Sequence, residues 1–262
     1  MIAAQRRNII REQILENGSA KAEDLAKQFG VSEETIRRDF AKLEKEGFIE
    51  KNYGGAIATQ ELQRMMKNIS PVQQRKFSNL KEKTCIGAAA AKLVTAGMRI
   101  FLDAGSTTWS IIRFLEKVEG LTIITNSLDI ARECAERDNW TVIVLGGQIL
   151  PKSMSMIGPT VEAQLDDLNV DIAFLGTTGL SVRGNCTSAN QFEANIKKKI
   201  IAISNHAVLV ADSSKLCVNE LFTFARFSQF NVVIMDDGAT PEIRRALGEA
   251  GADLIIAEKP YD

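Results

Sequence analysis

One predicted helix near the start of the chain, together with the segment that follows it, contains several basic and hydroxyl-bearing side chains. Val31–Gly55 reads VSEETIRRDFAKLEKEGFIEKNYGG. Ser32 is a residue type that caps helix N-termini and Gly47 is a stop signal, so the pattern predicts a helix that ends near Glu46. Arginine, lysine and threonine side chains can bind phosphates and base edges. The outer face of this helix is therefore either a nucleic-acid contact or an ordinary solvated surface.

The apolar residues of this helix define which side is left for a partner. Ile36, Phe40 and Leu43 recur at helical spacing and form one stripe. The remaining polar surface, with three residues of the segment that follows, supplies the candidate DNA contacts. They are Ser32, Thr35, Arg37, Arg38, Lys42, Lys51, Tyr53 and Gly54.

A second set of polar residues follows the predicted strands of the C-terminal part. The carboxyl ends of parallel strands meet at one edge of a sheet, which is where ligands bind in α/β folds. Glycines let the backbone approach a ligand, hydroxyls donate hydrogen bonds, and helix N-termini favour anions. With lysines added, this chemistry suits a small phosphorylated sugar or polyol. The candidate effector-binding residues are Asp103, Gly105, Ser106, Thr107, Asn126, Ser127, Gly146, Gly147, Lys152, Thr177, Lys197, Asp212 and Lys215.

Several of these residues also have a purely structural explanation. Lys215 fits an exposed turn, Asp212 fits a helix cap, and Lys197 in EANIKKKII fits a surface charge. Asp103 could instead act as the base of an enzyme. A binding site and an active site are both open at this point.

Predicted strands and helices alternate in the C-terminal part. Short continuous apolar runs are typical of parallel strands buried on both faces. The strands are predicted at Arg99–Leu102, Leu121–Ile124, Thr141–Leu145, Asp171–Leu175, Ala207–Val210, Val232–Met235 and Leu254–Ile256. The helices between them are predicted at Thr108–Lys117, Leu128–Arg137, Pro159–Leu168, Ala189–Ser204 and Pro241–Ala250, after one that begins at Ser78. This alternation predicts an α/β domain with a mainly parallel sheet.

Helical segments precede the helix at Ser32, and a small hairpin follows it. Gln5–Asn17 has isoleucines at helical spacing, and Gly18–Gly30 predicts a second helix closed by Gly30. The short turn before Ser32 has the spacing of a helix-turn-helix. Phe48–Lys51 and Ala56–Ala58 flank a turn and form a wing. The predicted domains are a winged helix-turn-helix at 1–58, a linker at 59–77 and a larger α/β domain at 78–262.

Composition and charge limit the classes of function. With 262 residues, 45% hydrophobic and 25% charged, the chain resembles a globular protein of two domains. No apolar run approaches the ~18 residues of a membrane span, and MIAAQRRNII is too polar for a signal peptide, so we expect a cytoplasmic protein. Four widely spaced cysteines and one histidine, His206, predict buried reduced thiols, no metal and no cofactor.

The charge balance also constrains the DNA hypothesis. The chain has a net charge of −1, and residues 1–58 contain ten Lys/Arg and ten Asp/Glu, a net charge of zero. A neutral domain binds DNA only where its basic groups converge on phosphates. We therefore expect modest affinity per subunit and a homo-oligomer, a dimer or tetramer, that binds paired half-sites.

The N-terminal motifs resemble the DNA-binding domain of the DeoR family of bacterial sugar-metabolism repressors. The resemblance rests on Leu25-Ala26, Val31-Ser32, Thr35-Ile36-Arg37-Arg38-Asp39, Leu43-Glu44, Gly47 and Tyr53-Gly54-Gly55-Ala56. The family often has Leu in place of Phe40 and His in place of Tyr53, and both replacements keep the character of the site. The resemblance implies double-stranded operator DNA as a partner.

The C-terminal motifs resemble the sensor domain of the same family. They are LDAGSTT, TNSL, LGG, GP, AFLGTTGL and VLVADSSK. That domain is similar to ribose-5-phosphate isomerase, whose Gly-Ser/Thr loop holds the substrate phosphate. The paired acids of the isomerase fall near Leu175–Thr178, where this chain has no carboxylate. The resemblance implies a sugar-phosphate pocket kept for binding in a repressor of a carbohydrate operon, with an isomerase-like enzyme as the alternative and a structural adaptor as a third class.

Overall fold

The computed structural model contains two compact units, Met1–Ser78 and Asn79–Asp262. It describes residues 6, 7, 9, 10, 13, 14, 19–45, 49–59, 72, 75, 76 and 78–258. The first unit is a helix-turn-helix with a small sheet, and the second contains a seven-stranded parallel sheet, so the predicted fold class is confirmed. Most of the predicted linker lies outside the described residues.

The first unit places a hairpin beside its helices. Residues 6, 7, 9, 10, 13 and 14 are helical, and the rest of the predicted Gln5–Asn17 helix lies outside the described residues. The other elements are β1 (Ser19–Lys21), α1 (Ala22–Phe29), α2 (Glu33–Lys45), β2 (Ile49–Asn52) and β3 (Gly55–Ala58). The strands form an antiparallel sheet in the order β1-β3-β2.

The strand β1 corrects the prediction of helix from Gly18 onward. Ser19 pairs with Ile57 and Lys21 pairs with Gly55. A Cβ atom at Gly55 would lie 2.4 Å from the Ala20 carbonyl oxygen, so the missing side chain allows the strands to meet. Pairing with a segment over thirty residues away decides this backbone, and the local helical pattern could not show it.

One buried ion pair holds the N-terminal helical segment against α2. Ile36, Phe40 and Leu43 are buried as predicted. Beside them, the buried Asp39 carboxylate accepts a 2.6 Å hydrogen bond from the Arg6 Nε. Asp39 belongs to a motif identified in the sequence, but the motif does not predict this contact.

The strands of the second unit form three sheets. They are β4 (Arg99–Leu102), β5 (Thr122–Thr125), β6 (Thr141–Val144), β7 (Gln148–Leu150), β8 (Ser155–Ile157), β9 (Val170–Leu175), β10 (Gly179–Leu180), β11 (Asn185–Ser188), β12 (Ser204–Val210), β13 (Phe222–Arg226), β14 (Val232–Met235) and β15 (Asp253–Ile256). The main sheet is parallel, with the order β15-β14-β12-β9-β4-β5-β6. It contains all seven predicted strands.

The helices cover both faces of this sheet. They are α3 (Leu80–Ala91), α4 (Ser106–Trp109), α5 (Leu128–Cys134), α6 (Pro159–Asp166), α7 (Gln191–Ala202) and α8 (Pro241–Glu249). Successive side chains of a strand point to opposite faces. Accordingly, Phe101 packs in one apolar cluster with residues of α6, α7 and α8, while Ile100 and Leu102 pack in another with residues of α3 and α5.

The predicted helix Thr108–Lys117 is wrong. The helix α4 ends at Trp109, and a separate 3-10 turn covers Ile112–Phe114. The Ser110 hydroxyl is within hydrogen-bonding distance of the carbonyl oxygens of Thr107 (2.6 Å) and Lys83 (2.7 Å). Close packing of this turn against α3 therefore interrupts a helix that the local pattern favours.

Two small sheets were not predicted. The loop predicted from Lys152 to Gly158 contains β8, which pairs with β7 as a hairpin. The Met156 N–H donates to the Asn126 carbonyl oxygen at 2.7 Å, which holds the hairpin beside the end of β5. The second is an antiparallel sheet in the order β10-β11-β13. Strands of two to five residues are too short to produce a readable periodicity.

The structure tests the predictions made for the thiols, the histidine and membrane-spanning segments. Cys85, Cys134 and Cys186 are buried, whereas Cys217 is exposed, so the prediction of buried thiols is wrong for Cys217. Burial raises the pKa of the Cys134 thiol to about 12. His206 lies on the surface. None of the helices in the described ranges combines the length and apolarity required for a membrane span.

Replacing Asp39 by alanine should loosen the first unit, because Arg6 would keep a buried charge without its carboxylate. Removing one partner of a buried pair typically costs ~3–5 kcal/mol. We expect faster amide hydrogen exchange throughout α2 in Asp39→Ala, measured by mass spectrometry on the full chain. Glu23→Ala, which breaks the exposed Lys27–Glu23 pair, is the control and should change little. Unchanged exchange in α2 of Asp39→Ala would contradict a stabilising role for the pair.

Candidate functional site

The outer face of α2 exposes the predicted basic residues. The Ser32 hydroxyl accepts a 3.3 Å hydrogen bond from the Thr35 N–H, as expected of a helix cap. Arg37, Arg38 and Lys42 are exposed, and Thr35 is half-buried. The two arginines form exposed i,i+4 ion pairs with Glu33 and Glu34 at 3.3 and 3.6 Å. Such pairs contribute little to stability, so both guanidinium groups can exchange a carboxylate for a phosphate at low cost.

The wing places three further predicted residues in the same unit. Tyr53 lies in the turn between β2 and β3 with its ring fully exposed, and Gly54 has the left-handed φ of 80° that favours glycine. The Lys51 Nζ lies 2.8 Å from a carboxylate oxygen of Glu44, which connects the wing to α2. An exposed aromatic side chain on the same wing as Lys51 is available to contact a partner.

The predicted effector residues lie at the carboxyl edge of the main sheet or in loops beside it. The strands β12, β9, β4, β5 and β6 are neighbours in that order. Each ends in one of the polar segments identified in the sequence, so the segments are brought together across adjacent strands. The segments begin at Asp212, Gly176, Asp103, Asn126 and Gly146.

A buried ion pair forms the centre of this edge. The Lys197 Nζ donates to the Asp103 carboxylate and, at 3.0 Å, to the Gly176 carbonyl oxygen. The Gly176 N–H donates back to Asp103 at 3.0 Å. Burial raises the pKa of the Asp103 carboxyl, while the Lys197 ammonium and the Gly176 N–H act to lower it. The alternative of Lys197 as a surface charge is wrong.

The loop after β4 presents hydroxyls next to this pair. Gly105 precedes α4, and the Thr108 hydroxyl is 2.6 Å from the Asp103 carbonyl oxygen and 2.9 Å from that of Gly105, which fixes the loop. Ser106 and Thr107 are largely buried residues, and residues 78–258 supply no hydrogen-bond partner for their hydroxyls. The first N–H groups of a helix have no partner within it, so this loop has several donors for an anion.

Asn126 and Ser127, after β5, differ in how their side chains are used. The Ser127 hydroxyl accepts from the Ile130 N–H and caps α5. The Asn126 amide donates to the Met156 carbonyl oxygen at 3.2 Å. Its Oδ1 is buried, and no donor to it is present among the described residues. Ser127 is therefore committed to the fold, while Asn126 keeps one acceptor.

Asp212 and Lys215 follow β12 in a 3-10 turn. The Asp212 Oδ1 accepts from the Ser214 N–H and from the Asn79 amide, both at 3.1 Å, so the helix-cap explanation is correct for this oxygen. The Asp212 Oδ2 is buried, and no donor reaches it from the described part of the chain. Lys215 is half-buried, and its ammonium forms no ion pair with residues 78–258.

Other predicted residues are occupied elsewhere or lie on the rim. The Thr177 hydroxyl is 2.9 Å from the Gly179 carbonyl oxygen, and the Gly146 N–H donates to Gln164. Gly147 packs so tightly that a Cβ atom would lie 2.6 Å from Val161. Lys152 is exposed in the turn of the β7–β8 hairpin.

An acid and three serines that are not among the predicted effector-binding residues form a cluster in this region. One Glu193 carboxylate oxygen lies 3.5 Å from the Ser155 hydroxyl, and the other lies 3.3 Å from that of Ser188. The hydroxyls of Ser153 and Ser155 are 2.7 Å apart. Glu193 lies four residues before Lys197, a spacing that places both on one helix face and could have revealed the acid.

Replacing Lys197 by methionine should destabilise the second unit, since Asp103 would be buried without a cation. A loss of ~3–5 kcal/mol is expected, and Asp103→Asn in the same chain should recover much of it. Denaturant unfolding followed by tryptophan fluorescence measures this, because Trp109 and Trp140 both lie in this unit. Lys198→Met, at the exposed neighbouring position, is the control. Equal stability of the single and double variants would contradict the coupling.

Comparison with known proteins assigns both units to one family. Residues 6–61 match the DeoR-like helix-turn-helix domain, and residues 78–237 match the DeoR C terminal sensor domain. The HTH-type transcriptional regulator YulB of Bacillus subtilis, which its name calls uncharacterized, is 36% identical over 247 residues, 94% of each chain. The glycerol-3-phosphate regulon repressor of Escherichia coli is 29% identical over 236 residues, 90% of this chain and 92% of that protein.

Solved structures similar to this chain include ribose 5-phosphate isomerases. The enzyme from Methanocaldococcus jannaschii is 23% identical, with a TM-score of 0.39 over 53% of this chain and 55% of the isomerase. The resemblance to the DeoR family that was noted in the sequence is confirmed by the two domain matches, which together cover most of this chain. The chain belongs to the DeoR family of helix-turn-helix transcriptional regulators.

Proposed function

We propose that this protein is a cytoplasmic repressor of a carbohydrate-utilisation operon that releases its operator when a phosphorylated sugar or polyol binds at the carboxyl edge of the seven-stranded sheet. The effector proposal rests on two buried acceptors that have no donor among the described residues, Asn126 Oδ1 and Asp212 Oδ2, and on the Lys215 ammonium, for which residues 78–258 supply no carboxylate. The relatives named above are transcriptional regulators, one of them a repressor, which supports the DNA part.

The operator is read by α2 in the major groove, with the wing against the backbone. In a helix-turn-helix the second helix enters the groove. Arg38 and Lys42 lie on its exposed face and are the groove contacts, while Arg37, Lys51 and Tyr53 lie beside them. Because the first unit is neutral overall, paired half-sites about 34 Å apart, or a multiple of that, supply the affinity. A homo-oligomer, a dimer or tetramer, is therefore part of the proposal.

The effector is an anion that also bears hydroxyls. The Lys215 ammonium, the Ser106 and Thr107 hydroxyls and the loop N–H groups bind its phosphate, because residues 78–258 supply no acceptors for these donors. The oxygens of Asn126 and Asp212 bind its hydroxyls, since a buried acceptor without a donor is costly. The name of the Escherichia coli relative, which refers to glycerol 3-phosphate, agrees with a small phosphorylated polyol.

No catalytic role is assigned to Asp103. Its carboxylate accepts from Lys197 and Gly176, and it is buried, so it is an anchor and not a free base. The relatives reported above carry the names of a transcriptional regulator and a repressor. Isomerisation of a pentose or hexose phosphate that disappears in Asp103→Ala would favour the enzyme alternative.

Alanine at Arg38 or Lys42 should weaken operator binding without unfolding the chain. A base-contacting arginine contributes ~1–3 kcal/mol and discrimination at one base pair, so Arg38→Ala should also relax specificity there. The measurement is a titration of a duplex that the wild-type chain has selected from random-sequence DNA. Arg183→Ala, at an exposed position of the second unit, is the control. Wild-type affinity in a folded Arg38→Ala, Lys42→Ala double variant would refute the assignment of α2.

Lys215→Ala should abolish the effector response and leave effector-free operator binding intact, because it removes the cation that holds the phosphate. In the wild type, the effector should weaken operator binding by ~1–3 kcal/mol, a typical coupling free energy. The measurement is the same duplex titration with and without a panel of sugar phosphates and their unphosphorylated sugars. Lys198→Ala should respond like wild type. A wild-type response of Lys215→Ala to an active sugar phosphate would show that the site lies elsewhere.

A further inference from the structure

The edge strand β6 leaves its apolar side chains uncovered. It is the last strand of the seven-stranded order and, among the described residues, pairs only with β5. Ile143 is 40% exposed and Val144 is 41% exposed. Proteins usually protect an edge strand with charged residues, proline or a covering element. The strand β6, which reads TVIV, contains neither a charge nor a proline, whereas the opposite edge strand β15 begins with Asp253.

Half of the backbone groups of β6 point away from the sheet. The Thr141 N–H donates to the Leu121 carbonyl oxygen at 2.9 Å, and the Leu145 N–H donates to that of Thr125 at 2.9 Å. Backbone groups of successive residues in a strand point to opposite sides. The N–H and C=O groups of Val142 and Val144 therefore face outward.

The outward groups are limited to these two valines, because both ends of the strand are closed. The Trp140 N–H donates to the Arg137 carbonyl oxygen at 3.3 Å. The Gly146 N–H donates to the Gln164 side-chain oxygen at 3.1 Å, and the Gln164 amide donates to the Gly146 carbonyl oxygen at 2.8 Å. The edge available for pairing therefore consists of the outward N–H and C=O groups of Val142 and Val144, with Ile143 between them.

We propose that β6 pairs antiparallel with β6 of a second copy of this chain, about a two-fold axis at Ile143. Val142 then exchanges both hydrogen bonds with the partner subunit's Val144, and the two Ile143 side chains meet in a non-hydrogen-bonded pair. The pattern of outward groups reads the same from both ends, which is the self-complementarity that a two-fold interface requires. Because β6 contains no charged side chain, two copies of the strand can pair without repulsion between like charges.

Centring the axis on either valine fits the structure less well. With Val144 on the axis, Val142 would face the partner subunit's Gly146, whose backbone groups are already bonded to Gln164. With Val142 on the axis, Val144 would face the partner subunit's Trp140, whose N–H is also occupied. Only the axis at Ile143 uses all of the outward groups. This pairing rests on the proposed function in one respect, the need for two DNA-binding domains on paired half-sites.

Cysteine cross-linking tests the position of the axis. In a non-hydrogen-bonded antiparallel pair the Cα atoms lie ~4.5 Å apart, which is within reach of a disulfide. Ile143→Cys, in a full-length chain with the exposed Cys217 changed to serine, should form a covalent dimer on mild oxidation. Val182→Cys in the same background, at a position 49% exposed, is the control and should not. Failure of Ile143→Cys to cross-link in a chain that is dimeric in solution would overturn the proposal.

Light scattering after size-exclusion chromatography supplies the second test, without DNA or sugar. Ile143→Lys with Val144→Lys places like charges directly opposite each other at position 143 and should halve the mass of the assembly. Val182→Lys should not change it, and circular dichroism establishes that both variants are folded. A monomeric wild type, or an unchanged mass in the folded double-lysine variant, would overturn the proposal. A dimeric wild type that binds no operator would instead count against the proposed function and leave this pairing standing.

Discussion

The ion pair between Lys197 and Asp103 constrains the arrangement of the whole carboxyl edge of the sheet. Either charge alone in this interior would be costly, so the two residues must remain together. Lys197 comes from α7, Asp103 follows β4, and Lys197 also donates to Gly176 after β9. One contact therefore fixes a helix and two loops. The Ser106 and Thr107 hydroxyls are held in place because their loop begins at that carboxylate.

The same pair decides which charge is left for a ligand. Lys197 and Asp103 neutralise each other, so Lys215 is the nearby cation for which residues 78–258 supply no carboxylate. Among the described residues, the buried oxygens of Asn126 and Asp212 lack donors and Lys215 lacks a counter-charge. The proposed effector class follows from these two needs, because a phosphate supplies a counter-charge and hydroxyls supply donors.

The parts of this structure that could be predicted are those that the local sequence determines. Continuous apolar runs identified all seven strands of the main sheet, and the stripe of Ile36, Phe40 and Leu43 identified the buried face of α2. The buried ion pairs could not be predicted, because their partners are distant in sequence. The residues of the Arg6–Asp39 pair are 33 positions apart and those of the Lys197–Asp103 pair 94, so no window along the chain could show that these charges are buried.

The proposed function requires that a ligand at the carboxyl edge and DNA at α2 each lower the affinity of the protein for the other. Thermodynamic linkage makes such coupling reciprocal, so a sugar phosphate that weakens operator binding must itself bind more weakly to the operator complex, by the same factor. Calorimetric titration of that sugar phosphate into the free protein and into the operator complex measures both affinities. We expect the sugar phosphate to bind the operator complex ~5–150-fold more weakly than the free protein. Equal affinity for the two forms would contradict it.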